Sequence, residues 1–352
     1  MTPRRFVLHA AWSTGLALLL GAPLGAAAQS SADPVPFYTS PDAVAGFHRG
    51  HTVPLAQAFA DRSAALVLAL QQHCAGGPGI EPARAAWTQT MLAWERLSAV
   101  AVGPLIERRS LREIDFQPMR PDLLKRMLAR EPKSLADMAR VGTPAKGLPA
   151  LEHLLWVAPV TAGSPACSYS VLAAQAVQAE ADALHQAFAA LAADPPQEEA
   201  SVPAFSEWVN QWLGGLERLR WANMEKPLRE AATRGGAPAF PRAASGQTAA
   251  AWAQAWGSLR AVAVQGAAPV PAPGQGLITI ETYLRGRGHL ALADRWRDAV
   301  LQADGAMKNA SPDQPARVDA AATALKSLTA LMQRDVSTAM EVGIGFSSAD
   351  GD

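Results

Sequence analysis

Leu148, Leu151 and Leu155 fall on one stripe of a helix, and the residue that interrupts the stripe, between Leu148 and Trp156, is a glutamate, Glu152. Glu281 holds the same place relative to Leu277, Ile280 and Leu284. Both stretches share the pattern Gly-Leu-x-x-[Leu/Ile]-Glu-x-x-Leu, beginning at Gly147 and Gly276. A carboxylate aimed at a core is costly unless it is paired, protonated or metal-bound. The two glutamates are therefore the first candidates for function. Ion pairing with Arg112, Arg260 or Lys226 is the purely structural alternative.

The rest of the chain has the same helical character. Alanine and leucine dominate, runs of Val, Ile and Thr with strand alternation are missing, and Pro/Gly clusters cut the sequence into helical lengths. The pattern predicts helices over 43–73, 82–102, 122–141, 147–156, 169–193, 205–224, 248–264, 277–283, 290–303 and 316–342. The expected fold class is all-α, with two helical-bundle domains over 29–160 and 161–352 after a leader over 1–28. Residues 95–102, Glu95-Arg-Leu-Ser-Ala-Val-Ala-Val, resemble 257–264, Gly257-Ser-Leu-Arg-Ala-Val-Ala-Val, and each stretch follows a tryptophan, Trp94 or Trp256. In both halves this helix precedes the Glu motif. A duplication would give the bundles approximate two-fold symmetry and bring their glutamates near a shared interface.

The leader reading rests on Arg4 and Arg5 before the apolar run Val7 to Leu20, and on Ala26-Ala27-Ala28 as a cleavage pattern. It implies a soluble, exported protein, with no membrane-spanning run expected after Ala28. Lysine and arginine number 31, as do aspartate and glutamate. Loss of Arg4 and Arg5 leaves a near-balance that gives no reason to expect nucleic acid as a partner. Cys74 and Cys167 are the only cysteines, and an oxidising compartment favours their pairing over two buried thiols. The bridge would close a loop of about 90 residues, worth roughly 4 kcal/mol.

Further candidate chemistry is carboxylate-rich. Glu95 lies on the flank of a helix whose face carries Trp87, Met91, Trp94 and Ser98. Asp115 sits between Ile114 and Phe116 in a polar, broken segment. Asp350 and Asp352 flank Gly351 in the tail and offer oxygen ligands to a hard cation. His48 and His51 are three apart and could share a helix face. No His-Glu-x-x-His or Gly-x-Ser-x-Gly occurs.

Taken together, five motifs resemble the imelysin family of exported bacterial proteins, also classed among the metallopeptidases. They are the Trp-rich stretch Trp87 to Pro104, Ile114-Asp115-Phe116-x-Pro118, Gly147-Leu-Pro-Ala-Leu-Glu152, Lys226-Pro227-Leu228, and Gly345-Phe346 with Asp350-Gly351-Asp352. The resemblance implies a helical fold of two bundle-like domains, an envelope location and a link to iron uptake. It also maps Gly147 and Glu152 onto the family's Gly-x-His-x-x-Glu signature, in which Pro149 replaces the histidine. The expected function is thus an envelope binding or accessory protein for iron or other metal uptake, acting with envelope uptake components. A small ligand or metal ion would sit in a cleft lined by Glu152, Glu95, Asp115 and Glu281. Carboxylates favour iron and the scarcity of histidine disfavours zinc. A metallopeptidase is the alternative, with the loss of the histidine against it.

Overall fold

The computed structural model describes residues 35–345. The leader and the tail residues Asp350 and Asp352 lie outside the described residues. Every regular element among those residues is helical. The chain enters through α1 (Ser40–Phe47), a π-helical turn (His48–Thr52) and α2 (Val53–Cys74). There follow α3 (Glu81–Ser98), α4 (Pro104–Glu107), α5 (Ser110–Asp115), α6 (Pro121–Arg130) and α7 (Leu135–Ala139). Next come α8 (Gly147–Glu152), which runs into a second π turn (His153–Val157), and the long α9 (Pro165–Ala193). The second half holds α10 (Glu198–Glu217), a π segment (Arg218–Glu225), α11 (Lys226–Arg234), α12 (Thr248–Ala263) and α13 (Ile280–Gly286). It closes with α14 (Leu290–Asn309), α15 (Pro315–Leu331), a further π turn (Met332–Val336) and α16 (Ser337–Ala339).

Local sequence explains where these helices begin. Thr39 and Asp42 form a reciprocal capping box ahead of α1, and Ser164 and Thr279 cap α9 and α13 through their hydroxyls. Proline occupies the first turn of α3, α6 and α9, where its missing N–H is no loss. The helix expected over 122–141 is instead two, α6 and α7. Glu131 takes a left-handed conformation (φ 47°) and Pro132 follows it, which stops α6. The two Glu motifs also differ: Gly147 to Glu152 is itself a helix, whereas α13 starts only at Ile280 and Leu277 precedes it without regular structure.

Helix α2 packs against α3 and α9, α3 packs against α12, and α12 against α14. The two tryptophan helices that resemble each other in sequence are thus direct neighbours. One contiguous apolar core runs from Tyr38 to Val342. Indole N–H groups lock elements across it: Trp87 donates to Leu148 O at 3.0 Å, Trp212 to Leu259 O at 2.9 Å and Trp296 to Ala263 O at 2.8 Å. One described helix, Ser40–Cys74, is long and apolar enough by composition to cross a membrane. Its residues Phe47, Phe59, Leu66 and Leu70 are buried in the core.

Cys74 and Cys167 form the expected disulfide, joining the end of α2 to the first turn of α9 with 5.6 Å between Cα atoms. Because it closes a loop spanning 93 residues, replacing both cysteines by alanine is expected to lower the unfolding free energy by about 4 kcal/mol. Urea unfolding of the variant checks this, and a midpoint equal to the parent's would count against it.

Candidate functional site

The turn between α11 and α12, residues 241–246, carries the centre of the site. It is closed by its own bonds. Thr248 Oγ1 donates to Pro241 O at 2.7 Å and Gln247 N–H to Arg242 O at 3.0 Å, with Ser245 Oγ 3.1 Å from the same carbonyl. Arg242 adopts a left-handed conformation (φ 65°) that turns its side chain inward, where it is 2% exposed. Its Nε and Nη2 donate to Glu95 Oε1 at 3.3 and 3.1 Å, and Nη2 also donates to Asp115 Oδ2. The guanidinium lies over the ring of Trp87, 5.8 Å from its centre.

Each partner is placed by a different element. Glu95 is on the flank of α3, next to Trp94, whose indole N–H donates to Asp115 Oδ2 at 3.1 Å. Asp115 ends α5, and its other oxygen accepts from the Gln117 amide at 3.3 Å. The start of α8 is pressed onto α5. Gly147 has φ 72°, and a Cβ there would stand 2.2 Å from Ile114 O, so only glycine permits the approach. Lys146 fastens the same junction through Glu113 at 2.6 Å. One turn on, Glu152 is 7% exposed and its Oε1 accepts from the Ser245 N–H (2.9 Å) and hydroxyl (2.6 Å). Glu95, Asp115 and Glu152 therefore converge on a single turn of six residues around Arg242 and Ser245.

Electrostatically the cluster is uneven. Burial, reinforced by the neighbouring Asp115 charge and opposed by Arg242, pushes the Glu95 carboxyl up to about 7. Asp115, with the shorter contact, is the charge partner of Arg242. Asp115, Glu95 and Glu152 hold Arg242 firmly in its cationic form against burial. Arg218, half-buried on the π segment after α10, adds positive potential toward Glu95 and Asp115 while donating to Ser98 O. Arg242 Nη1 is buried and has no hydrogen-bond partner among the described residues. An unpaired guanidinium N–H at such a depth is a standing demand for an acceptor oxygen.

The other predicted residues lie elsewhere or pair otherwise. Glu281 is 1% exposed but belongs to a separate network. Its Oε1 accepts from Arg285 at 3.0 Å and Arg297 at 3.1 Å, and its Oε2 from the Gln265 N–H at 3.1 Å. Arg112 lies over Phe116, and Arg260 approaches Asp304 at 3.4 Å, so neither serves Glu152. Sequence reasoning missed Arg242 and Ser245, which sit in an Ala/Pro stretch without periodicity; a lone arginine between two helices was the available signal. The residues do not fit a resident metal centre. Arg242 takes up lone pairs of Glu95 and Asp115, Pro149 offers no donor in the signature position, and among the described residues no three His, Cys, Asp or Glu gather as ligands.

A raised carboxyl has a defined sign in stability. Between its ordinary value of 4.5 and about 7, folded Glu95 keeps a proton that the unfolded chain has released. Its contribution therefore falls as pH rises through that window. Buried His48 and His51, lowered to about 4 and about 3, give the opposite slope below 6.5. Comparison with Glu95→Gln isolates the carboxyl. Relative to that variant, the parent is expected to lose about 3 kcal/mol between pH 4.5 and 8 in urea unfolding. A pH-independent difference would contradict the assignment.

Solved structures of the same fold exist. An imelysin-like protein from Psychrobacter arcticum superposes with a TM-score of 0.72 at 18% identity, over 87% of this chain and 97% of its own. A protein described as an iron-regulated protein A precursor, from Parabacteroides distasonis, gives a TM-score of 0.67 at 12% identity, over 86% and 94%. No curated protein matches the chain. The family profile described as Imelysin matches residues 52–344, which takes in Glu95, Asp115, Gly147, Glu152 and Arg242, and the chain belongs to the imelysin family.

Proposed function

We propose that this imelysin-family protein is an exported binding protein of the cell envelope that serves iron or other metal uptake, passing its cargo to envelope uptake components. In this reading it takes the metal as an oxygen-rich anionic chelate rather than as a bare ion. The observation that carries it is the buried Arg242 Nη1, unpartnered at the centre of three carboxylate-bearing elements. A guanidinium N–H selects anionic oxygen, and Arg forks are suited to carboxylate groups. Glu95, protonated into the neutral range, would donate where a second carboxylate approached. Glu152 Oε2, unbonded among the described residues, would face the chelated metal as a hard oxygen donor. The iron-regulated relative of the same fold is consistent with such a cargo. No observation favours the metallopeptidase reading, since Pro149 stands in the signature position.

Calorimetric titration of chelator-stripped protein with iron(III)-citrate, citrate alone, iron(II) and zinc tests this. The expected result is stoichiometric binding of iron(III)-citrate, at least tenfold weaker in Glu152→Gln, with helicity unchanged. Tight binding of bare zinc that depends on Glu152 would contradict the chelate reading. Silence toward every species would remove the metal-uptake role.

A further inference from the structure

A second polar site shares no residue with the Arg242 cluster. Helix α1 is pressed onto the segment before α13. A Cβ at Gly46 would stand 2.1 Å from Gly276 O. Just beyond that contact the helix takes its π turn at His48–Thr52, and both histidines of the turn are 6% exposed. His51 is committed to the core, with Nε2 3.2 Å from Ser258 Oγ. His48 instead lines a cavity of about 280 Å³ between α1, the turn at Gly103 and the α9–α10 connection, together with Phe47, Trp208, Leu191, Glu107 and Glu207.

Hydrogen bonding fixes what His48 offers there. Thr52 Oγ1 lies 3.3 Å from His48 O and 3.1 Å from His48 Nδ1, and in the arrangement in which it donates to the carbonyl it accepts from Nδ1–H. Nε2 is then the lone-pair nitrogen, and it has no hydrogen bond among the described residues. Burial holds the ring neutral, its pKa lowered to about 4. Glu207 uses only Oε1, which accepts from the Gly103 N–H at 2.6 Å. No lysine or arginine lines the cavity. It presents the His48 lone pair and the Glu207 and Glu107 carboxylates beside the rings of Phe47 and Trp208, 5.2 Å apart, with the Trp208 indole N–H a buried donor unpartnered among the described residues.

The complement to such a surface is a molecule that donates, is positively charged and has an apolar body. A metal ion lacks that body, and no three ligating side chains gather among the described residues. We propose that this cavity binds a small organic ammonium compound. Its apolar body lies against Phe47, Trp208 and Leu191, and its N–H groups donate to His48 Nε2, Glu207 and Glu107. The volume is at the low end of the roughly 300–1,000 Å³ of small-molecule sites, which favours a compact ligand, and the aromatic faces add cation–π attraction.

The probe is 2-phenylethylamine, with 3-phenylpropionate as its anionic counterpart, titrated at pH 7.5 by calorimetry and tryptophan fluorescence. Saturable binding of the amine is expected, at least tenfold tighter than the acid. Glu207→Gln keeps an acceptor for Gly103 N–H but removes the charge, and is expected to weaken amine binding about fivefold. Glu107→Gln, at an exposed position that leaves the fold safe, acts in the same direction. Glu152→Gln leaves amine binding unchanged, which separates this site from the chelate site. Absence of saturation by the amine, equal binding of acid and amine, or indifference to both Gln variants would overturn the proposal.

Discussion

The Arg242 guanidinium is the interaction on which the arrangement of the site depends. Removed from water, a lone arginine is expensive, and so is a lone carboxylate. Here the flank of α3, the end of α5 and the turn before α12 meet because their charges satisfy one another. Glu152 joins through Ser245 rather than through the arginine itself. A buried pair of this kind does little for net stability compared with an apolar replacement, but leaving one member alone is severely destabilising. The cluster thus fixes geometry more than it adds stability.

Packing supplies the frame. Tryptophan helices α3 and α12 lie side by side, and each places an indole N–H on an acid, Trp94 on Asp115 and Trp256 on Asp304. The likeness ends there. Asp115 faces the buried Arg242, whereas Asp304 pairs with the more exposed Arg260 and Lys308. Insertions of π geometry occur at the joins where side chains must be re-aimed: His48 in one, Arg218 in another.

How much was legible in the sequence follows from the kind of signal each feature leaves. Helices announce themselves by composition and punctuation, so most of the all-α architecture and the Cys74–Cys167 bridge were readable. Glu152 was readable because a charge on an apolar stripe is an anomaly, and Glu95 and Asp115 because they flank apolar positions. Arg242 left no such trace: its stretch lacks periodicity, and its burial comes from a left-handed turn closed by Thr248 and Ser245. The repeat overstated the role of Glu281, because sequence likeness does not reveal that Arg285 and Arg297 already engage that carboxylate. Glu95, Asp115 and Glu152, expected as candidate ligands, gather around Arg242 and Ser245, a convergence that only three-dimensional proximity makes visible.

The most direct test of this account is a double-mutant cycle between Arg242→Met and Asp115→Asn, followed by urea unfolding at pH 7. If Arg242 organises the cluster, each single change costs about 3–5 kcal/mol and the double variant much less than their sum, with a coupling of about 2 kcal/mol or more. Additive losses would mean that the two side chains are independent, and the site would need another organising principle.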